Sequence, residues 1–246
     1  MYYSMDVIAH IHNDYKEKFG IPRQSGLVPA MESRIIFTEK YNDPEALKGL
    51  DDFSHLWLIW AFSEGFSSRQ TEGNISPDVP DMGLATARHF SPTVRPPRLG
   101  GNERMGVFAT RSPNRPNPIG LSVVRLSHID LDTHEGPVIY VTGADLMDQT
   151  PILDIKPYIA YADAIGDANS SYASLPPDQQ PFDVTGTELL PQDIDKPALI
   201  RTLSLDPRPA YHTDPDREYG IRFGKYDVKF KVSNDTVYIT GCYIRL

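Results

Sequence analysis

A single cysteine, Cys242, stands among 246 residues. An intrachain disulfide and a cysteine-based metal cluster are therefore excluded. No apolar run approaches the roughly 20 residues that a membrane-spanning helix needs. No glycine fingerprint follows a strand and opens a helix, so neither a dinucleotide fold nor a P-loop is supported. The Gly-x-Ser-x-Gly elbow and the His-Glu-x-x-His helix are missing as well. His10 and His12 sit two apart on an expected strand, but no third or fourth ligand is suggested, so no metal is expected. Met1 to Asp6 carry neither a basic nor a long apolar stretch, so no secretory leader is expected and the cytoplasm is the natural setting.

An excess of positive charge is also lacking. The formal net charge is −9, which argues against a protein that coats nucleic acid by bulk electrostatics. Yet Arg88, Arg95, Arg98, Arg104, Arg111 and Arg115 are opposed in that stretch only by Glu103, giving it +5. An acidic chain with one basic region can meet a polyanion at one place.

Short apolar runs read as strands at Val7–His12, Ser33–Thr38, Phe53–Phe62, Met105–Thr110, Leu121–Ile129, Val138–Ala144 and Ile152–Tyr158. Phe53–Phe62 is apolar on both faces, as in a barrel wall covered on its outside. Asp43-Pro44 resembles a helix start. Too little helix lies between the strands for a parallel doubly wound sheet. The expected class is mainly β, with an antiparallel β-barrel core and a small α+β C-terminal domain. The segment Ser63–Gly101, rich in Ser, Gly, Pro, Asp and Arg, is too long for a plain connection. A second composition shift at Asp167–Pro181 places the boundary between residues 1–166 and 167–246. Beyond it, a helical stretch falls within Pro191–Leu205. A hairpin spans Tyr226–Tyr243 and turns at Asn234-Asp235.

Three runs could carry chemistry. Arg111-Ser112-Pro113-Asn114-Arg115-Pro116-Asn117-Pro118 is a turn stiffened by three prolines, presenting Arg, Asn and Ser, which suits a small charged ligand. Asp145, Asp148 and Asp154 surround a second turn, more aspartates than turn chemistry requires. Lys16–Leu27 is irregular, with no periodicity.

Together with Tyr15–Phe19, Pro22-Arg23-Gln24, Phe53–Trp57, Pro92–Asn102 and Asp206-Pro207-Arg208-Pro209-Ala210-Tyr211, these runs resemble the TrmO-type family, also called TsaA- or YaeB-like. These are tRNA adenosine-37 N6-methyltransferases. The resemblance implies a homodimeric β-barrel enzyme that uses S-adenosyl-L-methionine. It implies methylation of N6 of threonylcarbamoyladenosine at position 37 in the anticodon loop of threonine tRNAs, giving m6t6A. By position, the implied cofactor contacts are Gln24, Ser25, Gly26, Phe62, Ser63, Arg111, Ser112, Leu121, Ser122, Asp145, Leu146, Met147 and Asp148. Ser63 stands where relatives often have histidine, and the stretch 64–90 is longer than in typical relatives.

Within that frame Arg111 and Ser112 suit the cofactor carboxylate, Asp145 or Asp148 its diol or amine, and Phe62 or Leu146 its ring. Asn117, Asp148 or a backbone carbonyl are candidates to accept the N6 hydrogen. Arg95, Arg98 and Arg115 are candidates for tRNA. A non-catalytic RNA-binding barrel would bind tRNA without cofactor, and a small-metabolite methyltransferase would bind cofactor with no RNA requirement.

Overall fold

The computed structural model describes residues 4–62, 91–96, 99–100, 103–175, 180–209, 212 and 214–245. Six antiparallel strands close into a barrel. They are β1 (Ala9–His12), β2 (Glu32–Phe37), β3 (His55–Ala61), β6 (Ile119–Thr133), β7 (Gly136–Thr142) and β8 (Pro151–Pro157). Their order around the wall is β1-β2-β7-β6-β3-β8, and β1 pairs with β8 to close the ring. Closure leaves no edge strand to template aggregation.

Period-two alternation sets which side chains fill the barrel. Ile11, Ile35, Leu56, Leu58, Val124, Ile139, Val141 and Ile152 point inward and are essentially inaccessible. The outward face of β3 is half-buried, as its sequence suggested. Trp57 donates its indole N–H to Asp163 at 3.0 Å, at the end of the one-turn helix α1 (Ala160–Asp163). The Asp43-Pro44 start is a 3-10 turn in which the Asp43 side chain accepts from the Glu45 N–H at 3.0 Å.

One expected strand is corrected. In the run 105–110 only β5 (Met105–Gly106) is extended, paired with β4 (Thr93–Val94), and Val107–Ala109 form a 3-10 turn. Only Val107 of that turn is buried. Phe108 is 73% exposed, so the alternation a half-buried strand needs is missing.

The C-terminal unit is a sheet in the order β10-β11-β12-β9, with β9 (Asp183–Thr185), β10 (Tyr219–Phe223), β11 (Tyr226–Ser233) and β12 (Thr236–Ile244). The helix α2 (Lys196–Ser204) carries its buried face in the same apolar cluster as that sheet, and the Asp195 side chain caps it from Ala198 N–H. At the β11–β12 hairpin Asn234 and Asp235 have φ of 49° and 58°, the left-handed pair that a two-residue turn demands.

The irregular segment 13–31 joins the two parts. Its Tyr15, Val28 and Met31 belong to the C-terminal core, not the barrel core. The Tyr15 hydroxyl lies 3.1 Å from Thr202 Oγ1, and its ring meets Phe223 edge-on. Arg201 donates to the Leu27 carbonyl, and Arg222 N–H donates to Glu17. On the other side Asn13 donates to the Leu146 carbonyl of the barrel.

Candidate active site

The site starts with glycines. On β6, Gly120 stands opposite Trp60 of β3. A Cβ at position 120 would lie 2.1 Å from the Trp60 ring, so only glycine lets the indole lie across the strand. The Trp60 N–H then donates to Ser122 Oγ at 3.1 Å, and Ser122 donates to Asp145 Oδ1 at 2.6 Å. Asp145 follows β7 through the left-handed Gly143 (φ 79°). Gly26 N–H donates to the Gly143 carbonyl at 2.8 Å. A Cβ on Gly143 would press to 3.2 Å on Gly26 Cα, so the absence of side chains brings segment 24–26 against the Asp145 turn.

Burial pushes the Asp145 carboxyl above the ordinary carboxylate range. Ser122, backbone N–H groups including that of Ser25, and the Arg111 charge oppose this without cancelling it. Such a carboxylate is short of solvation and gains from any further donor. Ser122 binds only Oδ1, and the group is not fully covered.

The proline-stiffened loop is shaped by its own side chains. Ser112 N–H donates to Thr110 Oγ1 at 3.2 Å and Asn114 N–H to Ser112 Oγ at 3.1 Å, two hydroxyl-capped turns. Arg115 N–H reaches Pro113 O and Ile119 N–H reaches Asn117 O, tight three-residue turns. The Arg115 guanidinium donates to Thr110 O at 3.0 Å, tying the loop at its base. Arg111 is exposed and donates through Nη1 to Gln24 Oε1 at 2.5 Å. Its other donors can still face a ligand. The Ser112 hydroxyl, which accepts from Asn114, keeps its proton to donate.

The expected residues divide accordingly. Gln24, Ser25, Gly26, Arg111, Ser122 and Asp145 come together from four distant segments. Phe62 stands at their edge: its ring centroid is 4.3 Å from that of Trp60, and its N–H donates to Pro118 O. Leu121 alternates with Ser122 and is 54% exposed on the opposite face of β6. Leu146 is sealed in the barrel core at 1% exposure, so its side chain cannot line an open slot. Asp148 has both oxygens engaged, Oδ1 by Asn13 N–H at 3.0 Å and Oδ2 by Lys16 at 2.7 Å. Met147, next to it, is half-buried. Asp154 faces Lys156 on β8, 2.9 Å away. Asn117 and Arg95 are exposed. Ser63, Arg98 and the stretch 64–90 lie outside the described residues.

Three participants escaped the sequence reading: Trp60, Thr110 and Lys16. Trp60 had one available signal, the pairing of a large ring with a glycine that the strand register makes visible. Among the described residues no group of three His, Cys, Asp or Glu is placed to hold a metal ion.

Comparison with known proteins bears on this geometry. Residues 10–164 match the tRNA-methyltransferase O N-terminal domain, and residues 191–244 match the TrmO C-terminal domain. The chain is 38% identical over 243 residues to the tRNA (adenine(37)-N6)-methyltransferase of Escherichia coli (strain K12), covering 94% of each. It is 38% identical over 238 residues to the putative S-adenosylmethionine-dependent methyltransferase RcsF of Pseudomonas aeruginosa, with 93% of this chain and 92% of the relative covered. The crystal structure of TrmO from Pseudomonas aeruginosa superposes with a TM-score of 0.73 at 30% identity, covering 99% of both chains.

Proposed function

The chain belongs to the TrmO family, and from that premise we propose that it is an S-adenosylmethionine-dependent methyltransferase acting on N6 of adenine 37 in tRNA. The observation that carries the reading is the convergence of Arg111, Gln24, Ser122 and Asp145 beside the aromatic pair Trp60–Phe62. The donor set fits the cofactor. An exposed guanidinium and a hydroxyl suit its carboxylate, a desolvated carboxylate suits its diol or amine, and an aromatic edge suits its ring.

When bound, the sulfonium supplies an activated methyl group and a neutral thioether as leaving group. The work of the chain is then positional. Arg111, steered by Gln24, and the Ser112 hydroxyl fix one end of the cofactor, while Asp145, held by the Trp60–Ser122 relay, fixes another. Rigid presentation of this kind supplies part of the roughly 7–11 kcal/mol available from orientation alone. Of the two side-chain candidates for the N6 hydrogen, Asn117 is exposed on the loop, with an amide oxygen able to accept and orient it. Asp148 would have to release Lys16 first.

The finer substrate we propose is threonylcarbamoyladenosine 37 of threonine tRNAs, with m6t6A as product. Its support is chemical: the modified base adds a carboxylate, and Arg95 and the basic loop are suited to one. We also take residues 1–166 as the cofactor-binding unit and 167–246 as the C-terminal domain, working as a homodimer in the cytoplasm. Exposed Ile119 and Leu121 on β6 favour such an interface.

The test is mass spectrometry of nucleosides from tRNA treated with the purified protein and S-adenosylmethionine. tRNA isolated with threonylcarbamoyladenosine intact is expected to gain one methyl on that nucleoside. Transfer to unmodified transcript would refute the finer substrate, and no transfer to either would refute the activity.

A further inference from the structure

Apart from the Arg111–Asp145 cluster, a cavity of about 490 Å³ lies in the seam between segment 18–27 and the turn that follows α2, and Lys18, Phe19, Arg23, Phe182, Asp206 and Arg208 line it. That volume is in the range of sites that hold a small molecule or one unit of a polymer.

The turn that forms its far wall is built around an ion pair. Asp206 adopts a left-handed φ of 48°, a conformation a residue with a Cβ avoids unless its surroundings hold it. There its carboxylate receives Arg208 in a fork, Nε to Oδ1 at 2.7 Å and Nη2 to Oδ2 at 3.1 Å. This pairing, ahead of the cost of burial, raises the Arg208 pKa. The guanidinium lies 5.8 Å from the Phe182 ring centroid, with the side chain 13% exposed. Asp206 does not use Nη1. The ring of Tyr219 stacks with that of Phe19, and its buried hydroxyl has no hydrogen-bond partner among the described residues. The near wall adds the exposed charges of Lys18 and Arg23. Three cations against Asp206 leave a local excess of two positive charges in a chain of net −9.

We propose that this seam holds a nucleotide of the substrate RNA adjoining the methylated base, its phosphates on Lys18, Arg23 and Arg208 and its base against Phe19 or Phe182. Cations that track a backbone, beside aromatic faces, are how single-stranded nucleic acid is held without sequence preference. Position supports the assignment. Arg23 lines the seam, and the next residue, Gln24, holds Arg111. One stretch of chain therefore borders both the methyl-donor site and the cavity, and a strand crossing it places neighbouring nucleotides in each. The inference rests on the RNA-methylation reading above.

The test measures binding of an anticodon-loop oligonucleotide, AMP and S-adenosylmethionine separately. The proteins are the wild type, the double variant Lys18→Gln/Arg23→Gln and Arg208→Gln, with thermal melts to verify folding. In the double variant, whose changed residues are exposed, oligonucleotide affinity is expected to fall on the order of ten-fold. Its log–log salt slope should shrink by about 1.4, from two lost phosphate contacts at about 0.7 each. Cofactor affinity should stay at the wild-type value. Oligonucleotide affinity and salt slope unchanged in the folded double variant would overturn the proposal. So would loss of AMP binding alone, which would mark a site for free nucleotides. If wild-type protein bound the oligonucleotide but not S-adenosylmethionine, the enzymatic reading would fall while the RNA seam remained.

Discussion

Asp145 shows how one buried side chain at the proposed cofactor site costs stability. Its carboxyl is held above the ordinary carboxylate range chiefly by burial. Between the unfolded pKa and that raised value the folded chain keeps a proton the unfolded chain has lost. Stability therefore falls as pH rises from the unfolded pKa through the raised one. Asp145→Asn removes the charge while leaving an oxygen for Ser122. Ligand-free melts should show the variant gaining on wild type from pH 4 to pH 7. Calorimetric titration should show S-adenosylmethionine affinity weakened roughly ten-fold or more, the scale of a hydrogen bond to a charged group. A variant with wild-type affinity would remove Asp145 from the site. Arg111→Ala is expected to weaken cofactor binding on the same scale, with little effect on the melt because Arg111 is exposed. Unchanged affinity there would leave the carboxylate without its proposed partner.

At the scale of elements, strands are positioned by what neighbours them across the sheet. Gly120→Ala would drive a methyl into the Trp60 ring. Overpacking of that kind costs about 1–3 kcal/mol, and here it also pulls the indole from Ser122. The expected result is a lower melting temperature, a shifted tryptophan emission and weaker cofactor binding. An unperturbed melt would mean that Trp60 has room to move. The barrel strands were legible as short apolar runs, β3 even though it is apolar on both faces, and Asn234-Asp235 marked its hairpin because the turn requires residues that tolerate left-handed backbone. The 107–109 turn was not legible, because an apolar run alone cannot show that Phe108 faces outward. Nor was β10, whose Tyr219–Phe223 run is bounded by the Lys225 turn and reads as loop until its partner is known. Arg111, Ser122 and Asp145 were named from motif and resemblance. The Trp60–Ser122–Asp145 relay needed register, and register depends on pairing between segments 60 residues and more apart. The seam cavity needed the whole fold, since its walls come from motif stretches about 180 residues apart in sequence with no periodicity to pair them.

At the scale of the molecule, the C-terminal core draws side chains from both sides of the composition change. Tyr15, Val28 and Met31 come from the N-terminal part yet are 1% exposed within the C-terminal core. Gly20 packs so closely that a Cβ would lie 2.0 Å from Ile221. A chain of residues 167–246 alone would expose the face these side chains cover, and at about 80 residues it has little core to spare. We expect that fragment to be unfolded or aggregated by circular dichroism, and a longer piece is no remedy unless it restores segment 13–31. In the full chain, Tyr15→Ala should remove the ring against Phe223 and the hydroxyl bonded to Thr202. A buried aromatic truncated to alanine loses about 3–5 kcal/mol. Because the same segment is anchored to the barrel through Asn13 and borders the Arg111–Asp145 cluster through Gln24, the loss should not stay in the C-terminal sheet. A single cooperative transition, lowered as a unit in Tyr15→Ala and accompanied by weaker S-adenosylmethionine binding, is the expected outcome. Two separated transitions, with only the C-terminal one shifted and cofactor affinity intact, would mean that the segment joins the parts without coupling them.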